Sequence, residues 1–211
     1  MKHSNSVSSS PSSRSRLLDA ALRILRQKGY NGTTVDDLCA AAEVTKGGFF
    51  HHFQSKEDMA IAAAGHWSDM ATGLFGGAVY HNHPDPLDRV LGYIDLRAAL
   101  IRGAPAEFSC FAGTVTQETF LSHPAIRQAC AASIFGHAET LEADLAQAID
   151  TYQPGKGLTA RGLAIHTQAV LQGAFILAKA ADDPQVAIDS IGHLKRYFEL
   201  LFASGSPRDN H

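Results

Sequence analysis

A chain of 211 residues can bury a substantial core, and 45% hydrophobic with 18% charged residues is a globular composition, not a disordered one. No apolar run approaches the roughly 20 residues of a membrane span, and the opening MKHSNSVSSSPS lacks the apolar centre of a secretory signal, so a cytoplasmic location without a membrane partner is expected. The net charge of −3 is unevenly placed: residues 1–56 carry eight Lys/Arg against four Asp/Glu, and residues 57–211 carry ten against seventeen, so a polyanion would meet only the N-terminal end.

Taken in chain order, residues 1–13 read as a Ser-rich disordered arm. A first helix is expected over 14–28, with Leu18, Ala21, Leu22 and Leu25 on one face and Gly29 as its stop. Thr34 is a good N-cap for a helix over 35–42, and Thr45 for one over 46–53. Ser55 opens a fourth helix reaching about residue 79, with acids in its first turn. Pro84 and Pro86 mark a break. Further helices are expected over 87–102, 107–120, 125–151, 159–181 and 184–203, before a loose tail at 204–211. No segment alternates like a strand. The fold class is therefore all-α, with nine helices, and no internal repeat is visible.

The stretch from Thr33 to Lys56 has the layout of a helix-turn-helix reader, two short helices joined by a tight turn. Lys46 can reach a guanine edge or a phosphate. Gly47 and Gly48 cost helix stability but remove bulk where the helix would enter a groove. His51 and His52 can donate to phosphates. Lys56 places a positive charge beside the free amides of the next helix, and Thr33 and Thr34 offer the same chemistry one helix earlier. Phe49 and Phe53 fit the core of such a small module better than a DNA contact. A three-helix module that only packs is the competing reading of this segment.

The motif TTVDDLCAAAEVTKGGFFHHFQSKEDM resembles the DNA-binding domain of the TetR/AcrR family of bacterial repressors. The resemblance covers about residues 14–60, and the nine-helix layout extends it over the chain. It implies a helix-turn-helix domain at 14–56 and a ligand-binding and dimerisation domain at 57–203. It places Thr34, Lys46, Gly48, Phe50, His52 and Lys56 at DNA-contacting positions, with Thr45 beside them. Phe50 stands where the family usually has Tyr, which removes a phenol–phosphate hydrogen bond. Glu43 replaces the usual Gly of the turn; if that position needs positive φ, Glu costs on the order of 1 kcal/mol there. The implied function is a homodimeric repressor released from a near-palindromic double-stranded DNA operator by a small-molecule effector, with no cofactor.

The C-terminal helices are apolar on more than one side and must be buried on more than one side. Leu163, Val170, Ala174, Leu177, Ile188, Ile191, Leu194, Phe198 and Leu201 are the expected dimer-interface residues, an intrachain core being the alternative. Trp67, Met70, Phe108, Phe111, Phe135 and Phe175 are candidate walls of a ligand cavity, with Gln117, His137 and His166 as polar candidates. FSCFAGTVTQE and Lys179 resemble a NemR-like branch that senses electrophiles through cysteine. This makes Cys110 either a sensor thiol activated by the Lys179 ammonium or a small buried side chain. Three widely spaced cysteines without CxxC fit neither a disulfide framework nor a zinc site, and His81 and His83 have no ligand-spaced partner. A small all-α enzyme is a remote alternative, since no GxSxG, HExxH or P-loop occurs.

Overall fold

Polar side chains decide where most of the helices begin. In the computed structural model, which describes residues 12–203, α1 (Ser13–Lys28), α2 (Val35–Ala42), α3 (Lys46–His52) and α4 (Lys56–Gly76) start at Ser12, Thr34, Thr45 and Ser55, each accepting a first-turn backbone N–H. Such a cap contributes about 1 kcal/mol. A 3₁₀ turn (Val79–Asn82) precedes α5 (Pro86–Ala99), which Asp85 caps. Then come α6 (Pro105–Phe108), α7 (Phe111–Thr119), α8 (Pro124–Glu139), α9 (Glu142–Tyr152), α10 (Ala160–Ala181) and α11 (Pro184–Ala203). The described residues contain no strand, and none of their helices is long and apolar enough to cross a membrane. Expectations for residues 1–11 and 204–211 lie outside the described residues; Ser12 and Ser13 already belong to the start of α1.

Among the described residues there are eleven α-helical segments instead of nine, because two expected helices are divided. The 107–120 segment breaks at Ser109 and Cys110, whose backbone is extended. Arg26 of α1 donates to the carbonyls of Glu107 and Ser109 beside this break. Cys110 then caps α7, its Sγ accepting the Gly113 N–H at 3.4 Å. The 125–151 segment bends at Thr140–Leu141 although both residues keep right-handed helical dihedrals. The apolar stripe runs through the bend, so periodicity gives no warning of it.

Two cores organise the helices. One joins Leu17, Leu25, Leu38, Phe49 and Met59 of α1–α4 to Phe111 and Val115 of α7 and Ile126 of α8. The other gathers α5 and α8–α11 around Tyr93, Leu145, Leu171 and Phe198. Lys56 is therefore no boundary in the packing: α7 and α8 pack directly on the N-terminal module. Cys110 borders both cores.

Candidate functional site

The turn between α2 and α3 is tight because Glu43 adopts φ 53°, ψ 47°, and Val44 N–H reaches back to the Cys39 carbonyl at 3.0 Å. The left-handed conformation expected of this position is present, and a non-glycine residue there costs on the order of 1 kcal/mol. Phe49 and Phe53 of the α3 segment are buried, as their spacing predicts. On the opposite side Thr45, Lys46, Gly47, Phe50 and His51 face solvent, with the Phe50 ring 51% exposed.

Several expected contacts have other duties. A Cβ on Gly48 would lie 2.8 Å from Val44 Cγ1, so this glycine serves the turn, whereas a Cβ on Gly47 meets nothing closer than 4.0 Å. Thr33 does not reach the surface: it is 1% exposed and its hydroxyl donates to the Gly29 carbonyl at 2.7 Å. Lys56 is also withdrawn. Its Nζ donates to the Tyr30 and Thr33 carbonyls, both at 2.9 Å, and sits 4.1 Å from the Tyr30 ring centroid. Desolvation lowers its pKa. The ammonium braces the α1–α2 loop.

Thr34 stays exposed but is engaged in a capping box, accepting the Asp37 N–H and donating to Asp37 Oδ2 at 2.7 Å. Hydrogen bonds from Lys28 and then Thr34 hold the Asp37 carboxyl far below the usual carboxylate range. His52 is half-buried against Ser13, with Nε2 2.6 Å from its hydroxyl. Lys46 pairs with Asp36 at 3.0 Å, both highly exposed. Such a pair between exposed groups is worth little in water.

A cavity of about 640 Å³ opens among α1, α4, α5, α6, α8 and α10. Of the expected wall residues, Trp67, Met70, Phe108, Cys110, His137 and Phe175 line it. Gln117 and Lys179 instead line an adjoining pocket of about 200 Å³ that shares Cys110, Gln172 and Phe175 with the larger one. Three residues are displaced from the expected wall. Phe111 is wholly within the first core, Phe135 is 46% exposed outside the lining, and His166 is exposed on α10 against Tyr197.

Several unanticipated members are polar. Arg26, Arg97, Gln168 and Gln172 all line the cavity. The signal for Arg97 lies in the sequence: Val90, Tyr93, Ile94 and Arg97 follow the i, i+3, i+4, i+7 spacing of a buried face. Of the wall residues, His137 has its Nε2 3.0 Å from the hydroxyl of Tyr93 behind the wall, and Gln168 donates to the same hydroxyl at 3.4 Å. Burial, helped by Arg97, pushes His137 down to about 4, so it is neutral at neutral pH.

Cys110 is half-buried between the two pockets, whereas Cys39 and Cys130 are buried. Burial pushes the Cys130 thiol up to about 11. Lys179 Nζ donates to Thr114 Oγ1 at 2.9 Å, and desolvation followed by Arg26 lowers its pKa.

The expected dimer residues divide in two. Leu163, Ala174, Ile191, Leu194 and Phe198 are buried in the chain's own second core and are unavailable to a partner; Val170, Ile188 and Leu201 pack at its edge. Helical period explains the error, since the stripes that pair α10 with α11 inside one chain look the same as an interface stripe. Leu177 is 54% exposed, and Ile165, Ile176, Tyr197 and Leu200 are exposed on the same two helices.

Residues 17–63 match the family described as bacterial regulatory proteins, tetR family. The HTH-type transcriptional repressor DhaR of Mycobacterium sp. (strain GP1) is 46% identical over 44 residues, 21% of this chain and 22% of that protein. The transcriptional regulator AcuR of Cereibacter sphaeroides is 28% identical over 102 residues, 48% of this chain and 47% of AcuR. The chain thus spans about half or less of the length of these relatives. In fold it is similar to a TetR-family regulator from Agrobacterium tumefaciens, with a TM-score of 0.75 over 92% of this chain and 98% of that one at 21% identity. The match at residues 17–63 makes the N-terminal module a TetR-type regulatory domain, and the all-helical body has the fold of TetR-family regulators.

Proposed function

We propose that the chain is a homodimeric repressor that holds a near-palindromic operator with α3 and releases it when a small molecule enters the cavity. The observation that carries this reading is the sharing of parts between cavity and reader. Arg26 belongs to α1 of the N-terminal module, lines the cavity, and hydrogen-bonds the carbonyls of Glu107 and Ser109. Glu118 of α7 accepts the Asn31 N–H at 2.9 Å, in the loop leading to α2. A ligand that moves α6 or α7 therefore tilts the module carrying α3. Two such modules bind only when their reading helices sit about one helical turn of DNA apart. The exposed Ile165, Ile176, Leu177, Tyr197 and Leu200 supply an apolar face on α10 and α11 for the second copy. A cytoplasmic place of action follows from this reading.

The test is selection of bound duplexes from a random pool, followed by binding titrations in rising salt. Recovery of paired half-sites, with an affinity that falls steeply with salt, is expected. Recovery of no common sequence sinks the reading. A second reading, direct sensing of electrophiles by Cys110, draws on that thiol's place at the junction of the two pockets and at the start of α7. Operator release that survives Cys110→Ser unchanged rules it out.

A further inference from the structure

The large cavity contains a cation without a counterpart. Arg97 offers up to five N–H donors, yet among the described residues no acceptor takes a hydrogen bond from it and no carboxylate lies within ion-pair distance. Its guanidinium carbon lies 5.1, 5.7 and 6.0 Å from the ring centroids of Phe75, Phe175 and Tyr93. Three ring faces steady the charge but satisfy none of its donors. The other cation of the lining, Arg26, is already engaged with the carbonyls of Leu22, Glu107 and Ser109. The one carboxylate of the lining, Glu107, caps its own turn by accepting the Ala104 N–H. His137 adds no charge, because burial and Arg97 keep it neutral.

The remaining lining is mainly aromatic and aliphatic, with Trp67, Phe108 and Phe175 among its large flat groups, and its neutral hydrogen-bonding groups are Gln168, Gln172 and the hydroxyls of Ser68, Thr72, Ser133 and Thr140. A cavity of about 640 Å³ is within the range of small-molecule sites. A planar guanidinium facing a mainly apolar chamber matches the fork of a carboxylate.

We propose that the effector is an aryl carboxylate whose carboxylate pairs with Arg97 and whose ring lies among Trp67, Phe108 and Phe175. This rests on the reading of the cavity as the effector site. A neutral aromatic gains the ring contacts but leaves the guanidinium unpaired, so the site discriminates by charge as well as by shape.

Trp67 is the chain's only tryptophan and lines the cavity, so its fluorescence reports occupancy directly. The full-length protein is titrated with benzoate, phenylacetate, 3-phenylpropionate and 2-naphthoate, each beside its carboxamide, without DNA. At least one acid is expected to bind tenfold or more tighter than its amide. That preference should vanish in Arg97→Met and survive in reduced form in Arg97→Lys, with circular dichroism establishing that both variants are folded. If either variant fails to fold, rising salt replaces it as the readout and should weaken the acid but not the amide. The proposal is overturned if no acid changes the fluorescence at millimolar concentration, if acids and amides bind alike, or if folded Arg97→Met keeps the preference. Because DNA is absent, these outcomes are separate from failure of the repressor reading, which is decided by the duplex selection.

Discussion

Arg26, in the first helix, donates a 2.6 Å hydrogen bond to the backbone carbonyl of Glu107, 81 residues further along the chain. The same guanidinium lies 5.2 Å from the Trp67 ring centroid and also donates to the Leu22 carbonyl at 2.7 Å. One side chain thus joins the reader module, the cavity wall and the break between α6 and α7. Replacing it with methionine keeps its apolar stem and removes the donors. Arg26→Met is expected to lower stability by about 2 kcal/mol, as the carbonyls of Glu107 and Ser109 lose charge-assisted donors. It should also blunt the coupling between cavity occupancy and DNA release. Urea denaturation reads the first effect, and operator titration with and without ligand reads the second.

The exposed face of α3 makes a prediction about DNA. Lys46→Met should weaken binding to all sequences alike if the lysine meets a phosphate, and reduce the salt slope by about one. Phe50→Tyr adds a hydroxyl to a ring already at the surface and should strengthen operator binding by roughly 1 kcal/mol if a phosphate lies opposite. Fluorescence anisotropy over a salt series measures both. Equal affinities for wild type and both variants would remove α3 from the interface.

His137 gives a pH dependence. Its folded pKa of about 4 lies below the ordinary 6.5. Between these values the unfolded chain takes up a proton that the folded chain refuses, so stability is full above about 6.5 and declines as pH falls towards 4. The loss is roughly 3 kcal/mol at the acid end. His137→Gln keeps a hydrogen-bonding group near Tyr93 and should flatten this part of the curve. Denaturant midpoints at pH 7 and pH 5 for the two proteins test it; parallel losses would show that other groups carry the dependence.

The three cysteines should respond unequally to a thiol reagent. Cys39 and Cys130 are buried and their pKa values are raised, mainly by burial. Cys110 is half-buried at the meeting of two pockets. Brief treatment of the folded protein with a small maleimide should modify Cys110 first, as read by peptide mass spectrometry, and a ligand filling the cavity should slow it.

The sequence made the N-terminal module legible because its signals are local. Thr34 and Thr45 cap where their side chains suggest, Val35–Ala42 has the expected bounds, and Phe49 and Phe53 point inward. The left-handed backbone at Glu43 was readable only through the family resemblance, in which a Gly stands at that turn. The failures concern side chains whose partners are far away in sequence. Lys56 and Thr33 look like phosphate ligands until the loop at Gly29–Tyr30 folds over them. At the break at Ser109–Cys110, an arginine from α1 hydrogen-bonds the carbonyls of Glu107 and Ser109. Residues shared by α10 and α11 carry the same period whether they face each other or a second subunit, so Leu194 and Phe198 read as interface and are core.

Gly48 and Gly47 are adjacent, yet only one is held in place by its neighbours. A side chain at 48 collides with Val44, whereas one at 47 projects into open space from an exposed helix. Positions 47, 50 and 51 can therefore vary without rebuilding the turn, and a change at 47 from glycine even favours the helix by up to about 1 kcal/mol. The module thus keeps its mechanical frame separate from its exposed face, so if that face reads DNA as proposed, descendants of this protein are free to acquire new DNA targets without first losing the ability to fold.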